Sequence, residues 1–173
     1  MATGSILLPV NGATLPDGST NNAAAQFQRV KSSAAAPSLH FVELLFDAAA
    51  DEHAYWTFRM PANYASAPVL KLLWKANATA NSVVWVGKLA AITPGDADTP
   101  NEKALGSDNS ATTAVNTTEA RRLVETSITL TNADLLAAGD LVTLCVFRDA
   151  NNASDTCTVD AELVAVTLEY TTS

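Results

Sequence analysis

Charge is what this chain has least of. Only 16% of its 173 residues are Asp, Glu, Lys or Arg, which leaves a wide weakly polar surface of Ala, Thr, Ser and Asn that tolerates burial against a neighbour. The acids outnumber the bases to give a net charge of −8 and a pI near 4.5. The bases are scattered, with Arg121-Arg122 their one adjacent pair. A protein of that balance has little with which to neutralise phosphates, so no nucleic-acid partner is expected. No apolar run reaches the roughly 18 residues a membrane span needs, and the N-terminus carries no basic segment ahead of a signal-peptide core. The expectation is a protein made in a cytoplasm, with no membrane partner. Three sequons, Asn77-Ala-Thr, Asn116-Thr-Thr and Asn152-Ala-Ser, then read as polar loops.

Chemistry is the next scarcity. There are two histidines, His40 and His53, and neither stands at a zinc-ligand spacing from a second. There is no Gly-x-Ser-x-Gly elbow and no glycine-rich phosphate loop. The reading is therefore no enzyme, no catalytic residues, no metal and no cofactor. The two cysteines, Cys145 and Cys157, lie in β-patterned runs and are expected as buried free thiols. The loop Arg148–Asp155 offers oxygen donors at Asp149, Asn151, Asn152 and Asp155, but without the twelve-residue calcium-loop pattern. A turn held by its own Asx side chains, with Arg148 paired to a carboxylate, accounts for it more simply.

What the chain does have is strand pattern. Eight β-patterned runs follow one another from residue 39: Leu39–Phe46, Tyr55–Met60, Val69–Ala76, Ser82–Ile92, Thr112–Val115, Leu123–Thr131, Leu141–Asp149 and Cys157–Tyr170. The last changes parity. Cys157, Val159, Ala161 and Leu163 share one face, then Val164, Val166, Leu168 and Tyr170 the other. Successive side chains in a strand alternate, so the switch at Leu163–Val164 predicts a bulge or a strand covered on both sides, in either case an interior strand. The segment Asn132–Asp140 is the one plausible helical turn, with Asn132 as cap and Gly139 as stop. The long polar loop from Thr93 to Ser110 is of a length that is usually functional or mobile.

The expected fold is all-β: an eight-stranded antiparallel jelly roll over residues 38–173, with an extended N-terminal arm, residues 1–37. In that topology the last strand lies inside its sheet beside the first, and the seventh lies in the opposite sheet. An immunoglobulin-like sandwich is the alternative, lacking its Cys-Trp-Cys spacing. Leu70, Leu72, Trp74, Val124, Ile128, Leu130, Phe147 and Val166 are expected between the sheets. Trp56 and Trp74 share parity with core residues, while Trp85 could face either way and leaves room for a sugar-stacking site. The arm is broken by Gly and Pro yet carries Ile6, Leu7, Leu8, Val10 and Phe27. Such a segment either adds a strand to the domain's own sheet or orders against a partner.

The strings Tyr55-Trp-Thr-Phe-Arg-Met-Pro-Ala-Asn-Tyr64, Leu72-Leu-Trp-Lys75, Val83-Val-Trp-Val86, Gly139-Asp-Leu-Val142, Arg148-Asp149 and Ala165-Val-Thr-Leu-Glu-Tyr170 resemble tailed-bacteriophage virion proteins with a jelly-roll domain. The resemblance spans residues 39–170 and lies in structural positions. It implies a capsid decoration or cementing protein, assembled in the host cytoplasm. Its partners would be its own copies, as a homotrimer, and the major capsid protein or another virion protein; the arm lies outside the resemblance, and its contacts through Ile6, Leu7, Leu8, Val10 and Phe27 are expected from the apolar area these would otherwise expose. The alternative it leaves open is a receptor- or carbohydrate-binding module of a phage head or tail fibre.

Overall fold

A computed structural model describes residues 2–173. Eleven strands form two antiparallel-rich sheets packed face to face. They are β1 (Thr3–Leu8), β2 (Ala23–Ala24), β3 (Gln26–Lys31), β4 (His40–Phe46), β5 (Glu52–Arg59), β6 (Tyr64–Ala76), β7 (Ser82–Ile92), β8 (Asn109–Ala114), β9 (Val124–Thr129), β10 (Leu141–Arg148) and β11 (Ala161–Thr172). The first sheet runs β3-β4-β11-β6-β9, with β1 also on β11; the second runs β2-β5-β10-β7-β8.

The all-β sandwich is as the strand pattern predicts. All eight expected runs are strands, within a few residues at their ends. The last strand, β11, is interior to its sheet beside β4, and β10 is interior to the opposite one. The ladder between β11 and β6 slips one residue between Leu163 and Ala165, where the parity switch placed a bulge. One edge of β11 is filled by β6 along its length. The other is shared end to end by β4, opposite residues 161–163, and β1, opposite residues 166–171.

Three expectations need correction. The strands number eleven rather than eight, because residues 2–37 are no free extended arm: they supply β1 and β3 to one sheet and β2 to the other. The cause is their apolar content. Leu8 and Val10 sink into the sandwich at 4% and 6% exposure, and Trp56 Nε1 donates to Pro9 O at 2.9 Å, pinning the turn after β1. Gly4 is part of that fit, since a Cβ there would stand 2.3 Å from the Tyr170 ring. Second, Asn132–Asp140 forms turns, not helix. Asp134 and Leu135 have φ of 48° and 57°, the left-handed region that a right-handed helix excludes, and the Asp134 carboxylate accepts the Ala91 N–H at 2.9 Å. A 3₁₀ turn at Val10–Gly12 is the one helical element among the described residues. Third, Phe147 does not lie between the sheets. It packs on the outer side of β10 in a small cluster with Val84, Val86 and Cys145, its ring 4.7 Å from that of His53.

The rest of the expected core is in place. Leu70, Leu72, Trp74, Ile128, Leu130 and Val166 are buried between the sheets, with Val124 partly buried against them. Trp85 is fully buried too, edge-on to Phe46 and Trp74 at 5.0 and 5.8 Å. Trp74 Nε1 donates to Thr126 Oγ1, which in turn donates to Thr113 Oγ1, both at 2.8 Å. That chain of bonds ties β9 to β8 where the sheets meet.

Candidate functional site

The side chains to which sequence reasoning points are dispersed by the fold. All three tryptophans are buried, so none forms a platform for a ring. His40 is exposed at the start of β4, and His53 sits on the far sheet with its Nδ1 3.3 Å from Ala23 O. Of the five apolar residues expected at a partner, Leu8 and Val10 join the core and Ile6 packs against it. Leu7 and Phe27 remain outside, 66% and 48% exposed.

The Arg148–Asp155 loop folds as an ion pair and a set of turns. Arg148 Nε and Nη2 grip the two Asp155 oxygens at 2.9 and 2.7 Å. Arg148 also donates to the carbonyls of Val159 and Cys157. Asp155 accepts the Val84 N–H as well, and Asn152 Nδ2 donates to Asp149. Asp149, Asn152 and Asp155 are consumed internally while Asn151 is exposed, and no cluster of His, Cys, Asp or Glu suited to a metal exists among the described residues. Both cysteines are buried and free. Burial pushes the Cys145 thiol up to about 12 and drives the neighbouring Tyr55 hydroxyl up as well. The loop from Thr93 to Ser110 also settles onto the fold. Leu105 packs on the Cys145 cluster, the Gly106 N–H donates to Leu89 O, and Lys103 bridges Asp98 and Asp134 at 2.6 and 3.1 Å.

The largest cluster of buried charges among the described residues lies on the outer face of the first sheet. Lys75 on β6 stands opposite Glu162 on β11 in the ladder, a cross-strand pair of opposite charges on one face. Glu43 projects from β4 on the same face. At the bulge β11 gains a residue, so the ladder with β4 stops at Leu44 and Glu43 has no partner on β11. Its side chain therefore reaches past β11 toward Lys75. The result is one ammonium between two carboxylates: Lys75 is in direct contact with Glu162, and its Nζ lies 2.7 Å from Glu43 Oε2. Arg121 Nε approaches Glu162 Oε1 at 3.6 Å from the rim, its side chain more than half exposed. The Phe41 ring flanks Lys75, its centroid 5.9 Å from Nζ.

These are buried charges at the floor of open clefts. Glu43 is 1% exposed, Lys75 8% and Glu162 7%. A cleft of about 530 Å³ opens above them between β3 and Arg121. A second of about 400 Å³ adjoins it across Gln28, Arg121 and Glu162, bounded by Asn77 and Asp160. Glu43 Oε2 makes no hydrogen bond. Lys75 Nζ is its partner as an ion pair at 2.7 Å, at an angle poor for a hydrogen bond, and the oxygen itself is buried. A buried acceptor without a donor costs about 1–3 kcal/mol, more when charged. Burial raises the Asp160 carboxyl above its usual range, helped by the neighbouring Asp47.

The sequence pattern places Lys75 facing outward but gives no sign of Glu43 and Glu162 as its partners. A signal was present, since both are lone acids inside apolar strand runs, His40-Phe-Val-Glu-Leu-Leu-Phe46 and Ala161-Glu-Leu-Val164. Their meeting depends on which strands lie side by side.

No family model and no curated protein matches the chain. Solved structures similar to it in fold include a family 35 carbohydrate-binding module from Clostridium thermocellum, at 12% identity and a TM-score of 0.46 over 95% of this chain and 97% of that one. A mannan-recognising carbohydrate-binding module is similar at 10% identity and 0.44, over 98% and 99%. An exo-β-1,3-galactanase from Phanerochaete chrysosporium is similar at 6% identity and 0.47, over 95% of this chain; the chain spans 29% of that enzyme's length. At such identities and TM-scores the likeness says nothing of what this chain binds.

Proposed function

We propose that this chain is a non-catalytic binding module that takes an oligosaccharide across the outer face of its first sheet. The observation that carries the reading is the pair of adjoining clefts on that face, rimmed by Gln28, Asn77, Arg121 and Asp160 over a rigid floor of paired charges. A polyhydroxylated ligand supplies many hydroxyl donors at fixed spacing, and such a ligand is what a rigid row of acceptors and donors on a strand surface can select. Gln28, Asn77 and Arg121 add amide and guanidinium groups around the rim. The floor is rigid because its charges are already paired across strands, so little ordering is needed on binding. The carboxylates are engaged by Lys75, which suits them to positioning more than to proton transfer.

The test is affinity electrophoresis of the full chain through gels containing soluble polysaccharides, neutral and acidic, beside Gln28→Ala and Glu43→Gln. Retardation by at least one polysaccharide, weakened in both variants, is the expected result. Migration unaffected by every polysaccharide would end the reading.

A second reading, a virion subunit that assembles through its N-terminal strands, has Leu7 and Phe27 in its favour, since both are large and exposed. Sedimentation would favour it by finding a trimer that the double change Leu7→Ser, Phe27→Ser dissolves.

A further inference from the structure

Lys75, Glu43 and Glu162 hold an amine, a proton carrier and an acyl group together on one sheet face, largely out of water. We propose that Lys75 and Glu162 join covalently in the folded chain, as an amide between Nζ and Cδ formed with loss of one water, Glu43 carrying the protons. The proposal goes beyond the glycan reading and does not depend on it.

The sheet brings the parts together. Lys75 and Glu162 stand directly opposite in the ladder of β6 with β11, although 87 residues separate them in the chain, and their side chains touch. Glu43 reaches the same nitrogen from β4, its Oε2 2.7 Å from Nζ and free of any hydrogen bond. Lys75 contacts Glu162 at Oε2, while Arg121 Nε stands 3.6 Å from Oε1. The Phe41 ring flanks the amine. Burial sets this lysine apart. The side chains of Glu43, Lys75 and Glu162 are 1%, 10% and 9% exposed. Lys103 also lies between two carboxylates, Asp98 and Asp134, but the Asp98 side chain is 48% exposed. Lys71 and Lys88 each pair with one acid that is more than half exposed.

The step balances within the cluster. The Lys75 ammonium gives a proton to Glu43, and the freed lone pair attacks Glu162 Cδ. As the C–N bond forms, negative charge gathers on the Glu162 oxygens, where the Arg121 guanidinium faces Oε1. Glu43 passes its proton to Oε2, takes a second from the nitrogen and passes that on as well. The bond from Cδ to Oε2 then breaks and water leaves. Glu43 ends as the carboxylate it was, and the amide keeps one N–H. No oxidant, reductant or further reactant is needed. In dilute solution an acid and an amine do not condense, because water competes. Groups held in register act at effective concentrations of about 10⁵–10⁸ M, and burial keeps bulk water from the new bond. Toward a ligand these carboxylates serve to position; toward Lys75 they are close enough for a proton to pass.

The experiment takes the full chain, folded and held at neutral pH for days, and measures its intact mass before mapping its peptides by tandem mass spectrometry. The variants are Lys75→Arg, which keeps the positive charge but loses the amine, and Glu43→Gln, with circular dichroism to check that each folds. The expected result is a wild-type mass one water below that of the sequence, with the peptide holding Lys75 joined to the peptide holding Glu162. The loss should be absent in Lys75→Arg and slowed about a hundredfold in Glu43→Gln. A wild-type chain at its full sequence mass, with the two peptides separate, overturns the proposal whether or not the variants fold. So does a water loss that persists in Lys75→Arg, since the dehydrated residue then lies elsewhere. Cross-linking of Glu43→Gln at the wild-type rate overturns the part given to Glu43.

Discussion

Arg148 and Lys75 are both cations buried among acids, and their surroundings differ in one respect. Arg148 is wholly enclosed, and its guanidinium is consumed by Asp155 and by the carbonyls of Val159 and Cys157. Lys75 stands on a sheet face with two carboxylates, one of which keeps an oxygen unbonded beneath a cleft. The first arrangement is closed and fastens the 148–159 segment to the end of β10. The second lies on a sheet face beneath open clefts, with Arg121 at its rim. Burial and pairing alone do not distinguish the two clusters; what distinguishes them is that one is enclosed by the fold and the other floors an open cleft.

That contrast can be broken experimentally. Arg148→Met should have the largest effect, because it leaves the Asp155 carboxylate buried and uncompensated: a loss of about 3–5 kcal/mol in urea denaturation, with no gain or loss of ligand specificity. Cys145 supplies a case of burial with no partner of opposite charge. Its thiol is raised from an ordinary value near 9 to about 12 by desolvation. The unfolded chain then releases this proton at lower pH than the folded one, so the stabilising contribution is complete below pH 9 and is lost as pH rises toward 12. Chemical denaturation at pH 8 and pH 11 should show the fall, and Cys145→Ala should reduce it, the buried Tyr55 and Tyr64 hydroxyls, also raised, supplying the remainder. Lys75→Met should cost somewhat less than Arg148→Met, about 2–4 kcal/mol, because the exposed Arg121 already stands 3.6 Å from Glu162 and can close on it. It should also abolish polysaccharide retardation. If it costs as much stability as Arg148→Met and leaves binding untouched, the two clusters are of one kind. Smallest in stability is Arg121→Ala, an exposed rim residue, within about 0.5 kcal/mol of wild type by thermal melting, with its effect confined to binding.

Much of the fold could be read from residue order, because alternation is a local property. The runs around Leu70-Leu72-Trp74 and Ser127-Ile128-Thr129 state which side chains face inward, and the parity change at Leu163–Val164 marks the bulge of β11. Phe147 was misplaced for a local reason. Val142, Leu144 and Val146 carry the inward parity of β10, while Cys145 and Phe147 form an apolar outer layer that the 93–110 loop helps to cover. The turn at Asp134–Leu135 escaped because a good cap and a stop glycine look alike around a helix and around a pair of left-handed residues. The site was the least legible part. Glu43, Lys75 and Glu162 belong to three strands with more than thirty residues between the first and second and more than eighty between the second and third. Only the order β4-β11-β6 makes them neighbours.

The pairing of β1 with β11 fixes how the molecule can be held. Thr3 lies opposite Thr171, and the Thr172 N–H donates to Ala2 O at 2.9 Å, so both ends of the described chain sit together at one pole. Glu162 and the clefts lie toward the other end of β11, ten residues and roughly 30 Å away at the rise of an extended strand. A tether joined at either end would leave from the pole opposite the clefts, as a cup is held by its foot.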